Sequence, residues 1–277
     1  MPATVLRRVT TVEMTLIRTP VSLKVPARIA AIFWVIKLLT TAFGESTSDY
    51  LVHNVNPYLA VMGGFVVFVA AMVLQLRTDR YVPWVYWLAV AMVAVFGTMA
   101  ADVVHIEFRV PYLISSLLFA VLLTAVFWSW SRVEPTLSIH SITTARRELF
   151  YWAAVLATFA MGTALGDLAA YTFNLGFLSA GVVFAVLFAL PGLAFYALRI
   201  NAVLAFWAAY VMTRPLGASF ADWTGKDRSA GGLGWGDGPV AAVLAVLIVA
   251  GVAYLTVSGS DQVKEVELGP LLADESA

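Results

Sequence analysis

From residue 28 to residue 257 the chain alternates apolar runs of about 20 residues with short polar breaks. A run of that length crosses the hydrocarbon of a bilayer as one helix. The runs are continuously apolar rather than alternating, so they predict helices and not the strands of a barrel. A helix also satisfies its own backbone groups in lipid. The reading is an all-α, polytopic membrane protein with eight spans over 28–50, 57–76, 84–106, 111–130, 149–171, 176–197, 200–222 and 239–257. Pro57, Pro111 and Pro239 open the second, fourth and eighth spans, where a missing N–H costs nothing. Pro191 and Gly192 are expected to kink the sixth or to end it early. The stretch 223–238, WTGKDRSAGGLGWGDG, predicts a mobile glycine-rich loop. The pattern divides the chain into an N-terminal segment 1–27, a membrane domain 28–257 and a polar tail 258–277.

Charge orients these spans. With the N-terminus inside, the inner segments hold Arg7, Arg8, Arg18, Lys24, Arg28, Arg77, Arg80, Arg132, Arg146, Arg147, Arg199 and Lys264. The outer loops hold Arg109, Lys226 and Arg228, a bias of twelve to three. Basic residues stay on the cytoplasmic side, so both termini are expected there, in a bacterial inner membrane. The opening MPATVLRRVT precedes no apolar stretch with a small-residue cleavage site before the first span, so no cleaved signal peptide is expected. Composition agrees: 61% of residues are hydrophobic and 12% charged, against roughly 25% charged in soluble domains. Zero net charge points away from nucleic acid. With no cysteine there is no disulfide or thiolate metal site.

Spans one, three, five and seven share a template. Each begins with an aromatic pair: Phe33-Trp34, Tyr86-Trp87, Tyr151-Trp152 and Phe206-Trp207. Ten residues after each Trp stands a glycine, Gly44, Gly97, Gly162 or Gly217, and fifteen after it an aspartate, Asp49, Asp102, Asp167 or Asp222. The Trp-to-Trp intervals are 53, 65 and 55, the long one reflecting extra residues around 131–148. Each repeat (about 28–80, 81–133, 146–199 and 200–257) has two spans, so all four enter the membrane in one direction, related by an axis along its normal. The aspartates then share a level toward the outer face. The tryptophans lie near the cytoplasmic side, where such rings anchor at the interface. This arrangement resembles a bacterial family of uncharacterised membrane-anchored proteins with four tandem two-span repeats, each with a characteristic tryptophan. The resemblance covers about residues 28–257 and is carried best by FWVIKLLTTAFGESTSDYL and FWAAYVMTRPLGASFADW. It implies the architecture and supplies no substrate.

On a helix, positions eleven and fifteen after the Trp share a face. They pair Glu45 with Asp49, Thr98 with Asp102, Thr163 with Asp167 and Ala218 with Asp222. If the odd spans surround one axis, the five carboxylates of Glu45, Asp49, Asp102, Asp167 and Asp222 converge. Oxygen ligands suit a hard cation, and His53 and His105 nearby would tilt the site toward manganese, iron or zinc. The plainer alternative is that glycine and its small neighbours are a helix-packing device, with the aspartates in interfacial water. Lys37 and Arg214 lie inside spans one and seven, where a cation costs about 2.5–3.5 kcal/mol. The repeat needs neither: Val90, Val155 and Tyr210 match Lys37, and Thr41, Ala94 and Phe159 match Arg214. They are expected either to snorkel or lock the bundle through a salt bridge, or to act as counter-ions to the acidic cluster. Arg214 is expected to meet Glu45 or Asp49 where the first and fourth repeats close a ring. Pro215 frees a carbonyl near residue 211.

Enzyme motifs and cofactor signatures are missing: there is no HExxH, no GxSxG and no phosphate loop. Four equivalent aspartates fit a symmetric site better than the pair of an intramembrane protease. The expected function is proton-coupled transport or export of a small cation, with a divalent metal as one candidate and the lipid bilayer as partner. The alternatives are a non-transporting scaffold or sensor, and a cation channel with a pseudo-fourfold axis. Oligomeric state is not legible.

Overall fold

The computed structural model describes residues 22–262, and among them every apolar run forms an α-helix and no strand occurs. The helices are α1 (Ala31–Asn54), α2 (Pro57–Leu76), α3 (Pro83–Ile106), α4 (Tyr112–Val133), α5 (Ala145–Asp167), α6 (Gly176–Leu198), α7 (Ala202–Gly225) and α8 (Asp237–Ser258). Asn56 caps α2, its side chain accepting from the backbone N–H groups of Tyr58 and Leu59. Pro111 is the cap of α4 rather than its first residue, and Pro239 is the third residue of α8. α6 runs through Pro191 to Leu198, so that proline does not end the helix.

The four odd helices form a closed inner ring in the order α1, α3, α5, α7 and back to α1. Each even helix packs chiefly on the odd helix of the following repeat: α2 on α3, α4 on α5, α6 on α7, and α8 back on α1. The even helices carry most of the exposed apolar side chains, such as Met62, Val66, Leu117 and Val246, a surface suited to lipid. Among the described residues six helices are long and apolar enough to cross a membrane: α2, α3, α4, α5 with its extension to Thr172, α6 and α8. α1 and α7, with 24 residues each, have the length but carry Lys37, Glu45 and Asp49 or Arg214 and Asp222. Their place in the inner ring explains this, because these side chains face protein rather than lipid. The chain is a multi-pass membrane protein.

The end bearing the tryptophans is covered by ordered backbone. The N–H groups of Ala27 and Arg28 donate to the Asp261 carbonyl at 3.0 and 3.2 Å, Lys24 N–H to Ile142 at 3.0 Å and Tyr81 N–H to Leu23 at 2.7 Å. Residues 22–30 and 259–261 are therefore held against the helices by backbone hydrogen bonds. Arg7, Arg8, Arg18, Lys264 and the rest of segments 1–27 and 258–277 lie outside the described residues. The extra residues between repeats two and three form a pinned linker. Glu134 accepts from Arg146 and Arg147, each at 2.7 Å, and the Leu137 carbonyl accepts from the Trp207 indole at 2.9 Å.

The glycine-rich stretch is also ordered. The N–H groups of Leu233, Gly234, Trp235 and Gly236 donate to the carbonyls of Trp223, Lys226, Thr224 and Gly225 at 2.7–3.1 Å. The glycines serve this fold: Gly231, Gly234 and Gly236 have φ of +89°, +75° and +82°. A Cβ on Gly232 would overlap the Lys226 carbonyl. The expected mobile loop is instead tethered to the end of α7.

Candidate functional site

The repeat motif builds the axis through three cyclic contacts. The aromatic residue before each Trp packs on the Trp of the next repeat. Ring centroids are 5.4 Å apart for Phe33–Trp87, 5.6 Å for Tyr86–Trp152, 6.0 Å for Tyr151–Trp207 and 5.7 Å for Phe206–Trp34. Each motif glycine receives the residue seven after the Trp of the next repeat. A Cβ on Gly44 would lie 2.5 Å from the Ala94 Cβ, on Gly97 2.8 Å from the Phe159 Cβ, on Gly162 2.5 Å from the Arg214 Cγ and on Gly217 2.7 Å from the Thr41 Cβ. Backbone approach of this kind requires glycine. The third contact is the docking of each even helix on the next odd one. Trp87, Trp152 and Trp207 are buried and Trp34 half-buried. The tryptophans are therefore interlocked inside the bundle, correcting the expectation of interfacial anchors, because each has an aromatic neighbour from the adjacent repeat to cover it.

Above this aromatic layer the symmetry gives way to charge. Arg214 is fully buried and reaches the position eleven after the Trp in three repeats at once. It pairs with the Glu45 carboxylate and donates to the hydroxyls of Thr98 at 2.5 Å and Thr163 at 2.8 Å, and to the Thr41 carbonyl at 3.4 Å. Thr98 and Thr163 each donate in turn to a carbonyl of their own helix, so both are left to accept from the guanidinium. Lys37 is also fully buried, and among the described residues its Nζ has no hydrogen-bond partner. It lies over the rings of Phe159 and Tyr210, 4.1 and 4.2 Å from their centroids.

The carboxylates gather at the far end, unequally. Oxygens of Glu45, Asp49 and Asp222 all lie within 4.8 Å of one another. Asp102 and Asp167 are half-buried and stand outside this group, though both feel Glu45 and Asp49 electrostatically. The close group thus sits on the α1–α7 seam instead of being fourfold. Two basic residues explain the asymmetry: Arg214 below it, and Lys226 above it. The Lys226 ammonium pairs with Asp49 and lies 3.9 Å from Asp222 and 4.0 Å from Asp237. Burial alone would push the Lys226 pKa down, but Asp49 and then Asp222 outweigh it and hold it above the ordinary range. Sequence reading left Lys226 among the outer loop charges, although its spacing of four from Asp222 signals the contact. Asp237, the last acid of the glycine-rich stretch, opens α8 and belongs to this cluster.

The histidines stay apart from the carboxylate group. His53 is exposed, its Nδ1 2.7 Å from the Asp49 carbonyl. His105 Nδ1 lies 3.2 Å from the Ser115 hydroxyl, with its ring against Tyr112. After Asp167 the helix widens into a π-turn over Leu168–Thr172, a distortion often found beside functional groups.

A family model described as a Repeat of Unknown Function (DUF347) matches residues 32–81, 85–136, 150–201 and 205–261. Each match starts two residues before a motif tryptophan, so the matched unit is the structural repeat. No curated protein and no solved structure matches the chain. With four copies covering most of its length, the chain belongs to the DUF347 repeat family.

Proposed function

We propose that this protein is a non-enzymatic, proton-coupled transporter or exporter of a small cation in a bacterial inner membrane. In this reading all eight helices span the bilayer, with both termini in the cytoplasm and the carboxylate end outward, as the basic-residue bias suggests. The observation that carries it is the convergence of Glu45, Asp49 and Asp222 within 4.8 Å. An oxygen-only donor set suits a hard divalent ion such as Mn²⁺. Six carboxylates (Glu45, Asp49, Asp102, Asp167, Asp222 and Asp237) gather at this end with two basic side chains (Arg214 and Lys226), so the end has room for added positive charge. In this reading Lys226 holds the site until a cation displaces it. Metal binding displaces protons from its ligands, the physical basis of antiport.

A second reading also has a specific observation behind it. Arg214 satisfies Glu45 and two threonines internally, so the polar residues could serve only to hold a scaffold or sensor together. The aromatic layer closing the axis speaks against an open channel. The test is Mn²⁺-driven proton movement in proteoliposomes of wild type, Asp49→Asn and, as control, Glu107→Gln at an exposed site. Transport by wild type and the control, with a drop in the Asp49 variant on the order of tenfold or more, supports the transporter. No movement in any of them, or wild-type movement in Asp49→Asn, favours the scaffold.

A further inference from the structure

The aromatic end carries polar atoms that its packing does not need. In repeats one and four the residue before the Trp is Phe33 or Phe206, and it packs on the next Trp as its counterparts do. In repeats two and three it is Tyr86 or Tyr151, and the two hydroxyls lie 2.5 Å apart, fully buried. Three residues after the Trp, repeats two and three have Val90 and Val155, whereas repeats one and four have Lys37 and Tyr210. All four of these side chains are fully buried. Phenylalanine and valine therefore suffice for the fold at these positions, and the added hydroxyls and amine call for another explanation.

Together they make a file. Lys37 Nζ, without a hydrogen-bond partner among the described residues, lies 4.2 Å from the centre of the Tyr210 ring. The Tyr210 hydroxyl is buried, and its neighbour along the file is Tyr151, with which it interacts. Tyr151 bonds Tyr86, whose ring centre is 5.6 Å from that of Tyr81. Tyr81 donates to the Asp261 carboxylate in the turn after α8, beside exposed Gln262. The charged groups around the inner end of the file are few: Arg214 on α7 is the neighbouring charge at Lys37, and Glu45 stands farther along α1, behind Arg214. Both states of Lys37 are accommodated. Two ring faces attract an ammonium, and a dry apolar wall suits the amine.

We propose that Lys37, Tyr210, Tyr151, Tyr86, Tyr81 and Asp261 form a proton relay between the centre of the axis and the aromatic face. The Lys37 ammonium gives a proton to the Tyr210 oxygen as Tyr210 passes its own hydroxyl proton onward, and each phenol repeats the exchange. Tyr81 finally protonates the Asp261 carboxylate. The net change is one proton moved from ammonium to carboxylate, with every phenol neutral before and after. Burial holds the Asp261 carboxyl above its ordinary 3.8, against the pull of the Tyr81 hydrogen bond, which brings it nearer the range where it can take and release a proton.

The relay rests on the proton-coupled reading above and is tested so that the two can fail separately. The full chain in proteoliposomes is compared with Tyr86→Phe, Tyr151→Phe and Lys37→Val, each installing a residue that another repeat already carries. Mn²⁺-driven proton movement and equilibrium Mn²⁺ binding are measured side by side. The expected result is unchanged binding with proton movement reduced on the order of tenfold or more. Wild-type proton movement in the two phenylalanine variants would overturn the relay and leave the cation site standing. Loss of binding together with movement would also overturn it, since the residues would then be holding the fold. A wild type that binds Mn²⁺ but moves no proton removes the relay together with the proton-coupled reading and leaves only the cation site. A wild type that neither binds nor moves Mn²⁺ removes both proposals.

Discussion

At one end of the axis four aromatic residues pack on four tryptophans in an unbroken cycle, with centroid separations between 5.4 and 6.0 Å. At the other end four equivalent aspartates differ in their surroundings: Asp49 and Asp222 share Lys226, while Asp102 and Asp167 stand apart from the close carboxylate group. The same helices build both ends. Dispersion and shape act at contact range, so four similar sequences settle into four similar contacts. Charge acts over longer distances, and in a low dielectric one cation reorganises every acid near it. Arg214 and Lys226 occur in one repeat only, and the closing seam between α7 and α1 takes the asymmetry.

The sharpest way to break this comparison is to remove the charge that distorts the ring. Arg214→Met leaves Glu45 buried without its counter-ion and takes a donor from Thr98 and Thr163. The expected loss is about 3–5 kcal/mol, read as a lowered unfolding midpoint in detergent. Adding Glu45→Thr gives this position the residue that Thr98 and Thr163 supply in repeats two and three, and should recover part of the loss. A single variant as stable as wild type would show that the pair contributes nothing to holding the seam.

A second test acts on the symmetric packing. Gly44→Ala would place a methyl 2.5 Å from the Ala94 Cβ and 2.7 Å from its backbone carbon, neither of which can swing aside. A cost of about 1–3 kcal/mol is expected. Gly63 has nothing within 4 Å of such a Cβ, so Gly63→Ala on α2 should be neutral or slightly stabilising. Equal effects in thermal unfolding would mean that the motif glycines are not where the ring closes.

These contrasts also explain what could be read in advance. The helices were legible because a bilayer demands about 20 apolar residues, and the register of Trp, Gly and Asp because close packing at an axis repeats its demands. That Arg214 would meet Glu45 or Asp49 followed from the same logic of ring closure, and the structure pairs it with Glu45. The tryptophans misled, since a ring that anchors well at an interface is equally good filler once Phe33, Tyr86, Tyr151 or Phe206 from the neighbouring repeat covers it. That α8 docks on α1, and each even helix on the next repeat, is a matter of spatial order that no local pattern encodes. The loop misled for a further reason: glycines that signal freedom in a list of residues are, at 231, 234 and 236, what permits a fixed turn.

The smallest expected effect separates two contacts that cover the aromatic end, and they should respond to pH in opposite directions. The hydrogen bond from Arg147 holds Glu134 below its ordinary 4.5, against the effect of burial and with Arg146 assisting. A carboxyl depressed in the folded state adds stability above its unfolded pKa and loses it as pH falls through the folded value. Acid should therefore loosen the linker around Glu134. Asp261 is shifted the other way, by burial, above 3.8. Its contribution is complete below that value and is lost as pH rises through the raised one, because the buried acid must then carry charge. Raising the pH from below 3.8 through the raised value should therefore loosen the strap that Ala27 and Arg28 make with the Asp261 carbonyl. Hydrogen exchange at those two amides reads the effect, once the intrinsic base-catalysed rate has been divided out. Wild type should lose protection a few-fold as pH rises. Asp261→Asn keeps the backbone acceptor and removes the titrating group, so its protection should stay flat. If variant and wild type follow the same profile, the Asp261 carboxyl does not govern the strap, and the covering of the aromatic end rests on its backbone bonds and apolar contacts alone.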